Sequence, residues 1–166
     1  LPNQVKNQLK IFERKLYMSV GIVTPKVLAE ITTKICMRLG DKTDTSLPIH
    51  VSQKYSSPER MVLDMEKPRR VFTFCPSTPH NSDNIIESLC TQMGPLDVVI
   101  DCYIDSDTDI SHRRDICEHN STQYLSVNMT HAGMFIQGGR SAYMENKNLL
   151  KKLNPNMYYL GPIKIV

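Results

Sequence analysis

Glycine is missing over a long central stretch, for none stands between Gly40 and Gly94. Nucleotide sites on helix-covered sheets usually rest on a glycine-rich turn after a strand, because glycine lets the backbone approach a phosphate closely. Any such ligand must here be held atypically. No GxSxG nucleophile elbow and no GxxxxGK[ST] phosphate loop occurs, which sets aside the usual hydrolase and P-loop chemistries. There is no CxxC pair, and His50, His80, His112, His119 and His131 lack metal-ligand spacing, so no metal site is expected. The "DSDTD" stretch is not an EF-hand loop. Ile110 stands where that loop needs glycine, and Ile116 where it needs a bidentate glutamate. No segment approaches the roughly 20 apolar residues of a membrane span.

What is present describes one globular domain. The chain has 166 residues, 40% of them apolar and 22% charged, enough to bury a core within a single domain over 1–166. The opening Leu1-Pro2-Asn3, with neither methionine nor an apolar leader, reads as a processed product or an excised piece. The formal charge of +3 is small, though Lys67, Arg69 and Arg70 cluster, as do Lys147, Lys151 and Lys152. Cys36, Cys75, Cys90, Cys102 and Cys117 are odd in number and scattered through apolar runs. They fit buried free thiols in a reducing, cytoplasmic or otherwise intracellular compartment.

Residues 4–20 place Val5, Leu9, Phe12 and Leu16 on one helical face, opposite Lys6, Lys10 and Arg14. That spacing predicts an amphipathic helix ended by Gly21. A second helix is capped by Thr24, admits Pro25 in its first turn, carries the stripe Val27, Leu28, Ile31, Ile35 and Leu39, and stops at Gly40. Residues 1–40 are thus expected to be a helical N-terminal part. "LPIHVS" reads as a short strand, and "PERMVLDMEKPRR" stays open between a helical turn and a hairpin. Over 71–166 the pattern turns regular. "VFTFC" is a strand, and Ile85, Ile86, Leu89, Cys90 and Met93 mark a helix ended by Gly94-Pro95. An apolar run at 96–104, a helix over 109–119, the strands "YLSV" and "MFIQ", and a helix over 141–153 follow. Because the run at 96–104 is apolar on both faces, it belongs inside a parallel sheet covered by helices on both sides. The expected fold class is α/β: a Rossmann-like three-layer sandwich with a mostly parallel sheet and two N-terminal helices.

In an open parallel sheet, ligands sit beyond the carboxyl ends of the strands, which singles out 75–83, 101–109 and 127–139. In the first loop Ser77, Thr78, His80, Asn81 and Ser82 stand at a helix N-terminus, where unpaired N–H groups and the dipole favour an anion. Asn81 or Ser82 reads equally as a plain cap. In the second, Asp101, Asp105, Asp107 and Asp109 can hold ribose hydroxyls, a cation or an amine. Asp107 or Asp109 can also cap the next helix, and Arg113 and Arg114 can offset the mutual repulsion. In the third, Gln137, Gly138, Gly139 and Arg140 precede a helix. Paired glycines permit close approach to a ligand or merely make a tight turn.

The span 96–166 resembles, in order and kind, the second half of Rossmann-fold S-adenosylmethionine-dependent methyltransferases, particularly viral cap-forming RNA ribose methyltransferases. In that family a strand like "LDVVID" ends in a catalytic aspartate, and a later strand like "GMFIQ" ends in a catalytic lysine. The resemblance implies Asp101 as the catalytic residue, with Gln137 at the lysine position, where it cannot supply a cation. It implies S-adenosylmethionine or a nucleotide near Ser77, Thr78, Asn81, Asp105, Gln137, Gly138 and Gly139, and RNA met through Lys67, Arg69, Arg70, Lys151 and Lys152. The domain would be a degenerate methyltransferase. The alternative is a non-catalytic interaction or scaffold domain that docks on other protein domains through its helices within 4–39.

Overall fold

A computed structural model describes residues 3, 19–25, 29–40, 48–74, 79–105 and 107–164. Its elements run β1 (Ser19–Val23), α1 (Ala29–Leu39), β2 (Ile49–Val51), a single 3-10 turn (Ser52–Lys54), α2 (Pro58–Asp64) and β3 (Arg69–Phe74). Then come α3 (Pro79–Cys90), β4 (Val98–Tyr103), α4 (Ile110–His119), β5 (Gln123–Thr130), β6 (Gly133–Gly138), α5 (Arg140–Leu153) and β7 (Met157–Tyr159).

The strands form one sheet in the order β2-β1-β3-β4-β5-β6-β7. All neighbours are parallel except β5 and β6. The expected mostly parallel, Rossmann-like α/β fold is what the chain adopts.

Its N-terminal part differs from the expectation. The helix expected over 4–20 lies outside the described residues up to position 18, and its last two positions belong to β1, a strand buried at all five positions. Val20, Ile22 and Val23 suit such a strand because β-branched side chains pack well on a pleated surface. Gly21 ends no helix. A Cβ there would lie 2.7 Å from Cε of Met61 and 2.8 Å from Sδ of Met65, so its absence lets α2 close onto the sheet. The helix expected after Thr24 is described from Ala29 to Leu39 as α1, while Val27 and Leu28 of its expected stripe lie outside the described residues. The open stretch "PERMVLDMEKPRR" divides into α2, with Pro58 in its first turn and Ser57 Oγ accepting from the Arg60 N–H at 3.2 Å, and the start of β3.

Both faces of the sheet are buried. On one, Val20, Ile22, Phe72, Ile100, Leu125 and Ile136 meet Ile35 and Leu39 of α1 and Leu149 and Leu150 of α5. On the other, Val71 and Val99 meet Met61 of α2, Leu89 of α3 and Cys117 of α4. Successive residues of a strand point to opposite faces, so a strand enclosed on both sides must read as continuously apolar.

Beneath the sheet, Arg69 and Asp97 form an enclosed ion pair. Nε and Nη2 of Arg69 donate to Asp97 Oδ2 at 3.1 and 2.9 Å, and its backbone N–H donates to Oδ1 at 2.6 Å. The remaining guanidinium N–H groups reach the carbonyls of Val62 at 2.9 Å and Gln92 at 2.7 Å. One side chain thus ties the starts of β3 and β4 to the ends of α2 and α3. No helix among the described residues is long and apolar enough to cross a membrane.

Candidate functional site

The chain leaves β1 to form β2 on one side and returns to form β3 on the other. In open α/β sheets such a reversal opens a crevice at the carboxyl ends of the two central strands, where ligands bind. The turn that matters therefore follows β1, and it begins Thr24-Pro25. It carries no glycine through Ala29.

Side chains from the end of β2 close over this turn. The Thr24 N–H donates to Ser52 Oγ at 3.3 Å, and the Ser52 hydroxyl lies 3.4 Å from the Thr24 carbonyl. Gln53 Nε2 donates to Thr24 Oγ1 at 2.9 Å and to the Pro25 carbonyl at 3.1 Å. Thr24 and Ser52 are buried, whereas Gln53 is half-buried and Lys54 exposed. The sequence offers Thr24 as a helix cap and "LPIHVS" as a short strand, but with β1 read as a helix it does not bring Thr24, Ser52 and Gln53 together.

Asp101 lies in β4, 2% exposed, and is the centre of a polar network. Arg113 Nη1 donates to Oδ2 at 2.7 Å and the Tyr124 hydroxyl at 2.6 Å, while the Thr73 hydroxyl donates to Oδ1 at 3.1 Å. Arg113 Nε donates to Asp83 Oδ1 at 2.8 Å. A single guanidinium so joins the first turn of α4, the α3 helix and the middle of β4. Burial alone would lower the Arg113 pKa, but the Asp101 charge and the hydrogen bonds to Asp101 and Asp83 outweigh it and raise the value. Burial, then the Asp101 charge and its hydrogen bond, raise the Tyr124 hydroxyl well above its usual range. The expected offset of the aspartates by arginine holds for Arg113. Arg114 turns elsewhere, to the Ile163 carbonyl at 3.0 Å and to Asp115.

Asp105 and Asp109 are exposed and shape the loop. Asp105 Oδ1 accepts from the Asp107 N–H at 2.9 Å, and Asp109 Oδ1 caps α4 through the His112 N–H at 3.1 Å. Among the described residues, no group of three or more His, Cys, Asp or Glu is arranged to hold a metal ion. Ser77 and Thr78 lie outside the described residues. Asn81 falls within α3, its side chain likewise outside them.

Gln137, Gly138 and Gly139 do not join the other candidates. β6 runs antiparallel to β5, with Gly138 opposite Leu125 and Gly133 opposite Thr130. Its end therefore points to the amino edge of the parallel strands, across the sheet from Asp105. There Gly138 and Gly139 help line a groove of about 690 Å³ with Arg114, Glu118, Tyr124 and Ile163. The RNA-binding expectation for Arg69 fails on burial, since its guanidinium is spent on Asp97 and two carbonyls. Lys151 and Lys152 occupy the last turn of α5, where the carbonyl end of a helix favours cations without any nucleic acid.

No protein-family model matches the sequence, and no curated protein matches it significantly. Solved structures do match. The 3-hydroxyisobutyrate dehydrogenase of Mycobacterium tuberculosis superposes with a TM-score of 0.70 at 12% identity, over 87% of this chain and 55% of that one. The 6-phosphogluconate dehydrogenase of Plasmodium falciparum gives 0.64 at 18% identity, over 87% and 37%. An imine reductase of Bacillus cereus gives 0.65 at 12% identity, over 87% and 55%. At such identities the likeness establishes the fold, and this chain spans about half, or less, of the proteins it matches. The methyltransferase resemblance is corrected by these neighbours, which are dehydrogenases and a reductase. S-adenosylmethionine is overturned as the expected cofactor, for the Plasmodium enzyme was solved with NADP+.

Proposed function

We propose that this chain binds a nicotinamide adenine dinucleotide, in its 2′-phosphorylated form, along the carboxyl edge of β2, β1 and β3, as the dinucleotide-binding half of an oxidoreductase. The reversal of strand order at β1 carries the reading, in a sheet that superposes on dehydrogenases. The end of β2 supports the phosphorylated form. A carboxylate at that position holds a free ribose 2′-hydroxyl and would repel a phosphate. Residues 49–58 contain no Asp or Glu, and Lys54, which ends the 3-10 turn after β2, is exposed.

The β1 turn fits less well. Pro25 has no N–H to offer, and the Thr24 N–H is engaged by Ser52, so the usual backbone seat for a pyrophosphate is reduced. This chain's residues therefore bear on binding, and no hydride-transfer step is assigned to them. A second reading draws on the same closure: a Rossmann-like domain kept for docking other protein domains, with no nucleotide.

Thermal unfolding with NADP+, NADPH, NAD+, NADH and S-adenosylmethionine separates the two. NADP+ at about a hundredfold its Kd is expected to stabilise by roughly 2.7 kcal/mol, or about 5–10 °C for a domain of this size. S-adenosylmethionine is expected to shift nothing. Absence of a shift with all four nicotinamide dinucleotides would overturn the proposal and favour the docking domain.

A further inference from the structure

Cys90 ends α3 and Cys117 stands in the last turn of α4, and their sulfurs lie 3.3 Å apart, 1% and 0% exposed. Both pack on the same face of the sheet, in the cluster that holds Val71 and Val99. We propose that they are an oxidisable dithiol, which a hydroperoxide converts into a disulfide that fixes α3 to α4. Cys102, the third buried thiol among the described residues, packs on the opposite face with Ile22 and Leu125.

The approach of the two sulfurs is a property of the fold. Both backbones are pinned at helix ends: the Cys90 carbonyl accepts from the Met93 N–H at 3.2 Å, and the Cys117 carbonyl from the Asn120 and Thr122 N–H groups at 3.0 and 2.9 Å. The same two helices are joined a second time by Arg113 Nε and Asp83 Oδ1 at 2.8 Å. From 3.3 Å the sulfurs need about 1.3 Å of further approach to reach the roughly 2.05 Å of a disulfide, which side-chain rotation can supply. The reduced pair is inert while closed, since the shared hydrogen bond, then burial, raises the Cys117 thiol and the thiolate is the form that attacks. Reaction begins when the last turn of α3 opens, as helix ends do. The Cys90 thiolate attacks the peroxide, the O–O bond breaks, and Cys90 becomes a sulfenic acid while the departing oxygen takes up a proton and leaves as water or alcohol. The Cys117 sulfur then displaces the hydroxyl: the S–S bond forms, the S–O bond breaks, and the hydroxyl takes the Cys117 proton and leaves as water. Two thiols are thus oxidised by two electrons, and one O–O bond is reduced.

Hydrogen peroxide added to the reduced full chain under native conditions, followed by peptide mapping without reductant, tests this. The expected product is a linked Cys90–Cys117 peptide and a protein lighter by two hydrogens, both reversed by dithiothreitol. Closing the span from 90 to 117 is expected to raise the unfolding midpoint by roughly 5–15 °C. Cys90→Ala and Cys117→Ala are each expected to form no link and to gain oxygen at the remaining cysteine of the pair, whose sulfenic acid has no neighbour to resolve it. If either variant fails to fold, the map of the parent decides alone. Recovery of Cys90 and Cys117 as free thiols, or as sulfinic or sulfonic acids, overturns the proposal and leaves a pair that shares only a hydrogen bond. Linkage of either one to Cys36, Cys75 or Cys102 overturns it as well. So does a Cys90–Cys117 link that lowers the midpoint, which marks a bond formed against the native packing.

Discussion

Replacing Asp101 by asparagine keeps the shape of the side chain and removes its charge. With the amide oxygen in the Oδ2 position, Tyr124 and Arg113 can still donate to it while the amide NH2 faces the Thr73 hydroxyl, but the Arg113 guanidinium, 3% exposed, loses its enclosed counter-charge. Among the described residues only Asp83 remains as a carboxylate paired with it, and that side chain is 26% exposed. Removing one partner of a buried ion pair typically costs about 3–5 kcal/mol, a large share of the roughly 5–15 kcal/mol by which a domain is stable. For a chain of this length each kcal/mol lowers the unfolding midpoint by about 2–4 °C, so Asp101→Asn is expected to lower it by about 6–20 °C. The double variant Asp101→Asn/Arg113→Met removes both charges and is expected to recover part of that loss, with a coupling above about 1 kcal/mol in a double-mutant cycle. Calorimetric or fluorescence-monitored unfolding of the four proteins is the assay. A loss under about 1 kcal/mol for Asp101→Asn, or strictly additive losses, would refute the view that Asp101 is there to anchor Arg113. If such a stable variant also lost NADP+ binding, Asp101 would have to be placed against the ligand instead.

Gly138→Ala is expected to destabilise by roughly 2–5 kcal/mol. The backbone there has φ +152, and a Cβ would meet Leu125 Cδ2 at 2.6 Å and the Tyr124 carbonyl at 2.7 Å; chemical unfolding reads the change, and near-neutrality would contradict the close approach. Stability should also fall in alkali. Burial, then the Asp101 charge, raises the Cys102 thiol, and the same causes raise Tyr124. The folded state then holds these protons more tightly than the unfolded chain, so stability is complete below about pH 8.5 and is lost as pH rises, by up to about 1.4 kcal/mol per unit for each group. A flat profile from pH 8 to 11 would contradict this. Cys90 and Cys117, buried with their sulfurs 3.3 Å apart, should resist iodoacetamide in the native protein and react on unfolding. The thiol–thiol hydrogen bond shared with Cys90, then burial, raises the Cys117 thiol, and rapid native-state labelling of either residue by mass mapping would show the pair to be open.

Much of the architecture was legible from residue 71 onward, because apolar runs there alternate with helical stripes and are separated by Gly94-Pro95, Asp109 and Gly138-Gly139. The strand β1 was not. Five residues are too few to reveal a period, and the helical spacing of Val5, Leu9, Phe12 and Leu16 extended into them. Reading Gly21 as a helix stop hides what it does, which is to admit Met61 and Met65 against β1. The cost was functional. With β1 unseen, the crevice beside it and the way Ser52 and Gln53 close on Thr24 were unseen.

The error over Gln137, Gly138 and Gly139 has a different origin, and the sequence itself held the remedy. "YLSV" ends at Val127 and "MFIQ" begins at Met134, which leaves six residues between them. A crossover that returns a strand parallel to its neighbour needs a dozen residues or more, whereas a hairpin needs as few as two. The second strand therefore had to run backwards. The structure bears this out: Thr130 pairs with Gly133 across only His131 and Ala132, with the Thr130 hydroxyl donating to the Gly133 carbonyl at 2.9 Å and accepting the Ala132 N–H at 3.2 Å. Once direction is assigned, the loop after "MFIQ" falls on the amino edge, and it cannot share a ligand with Asp105. Residues at strand ends can be pooled into one site only after loop length has fixed which way each strand points.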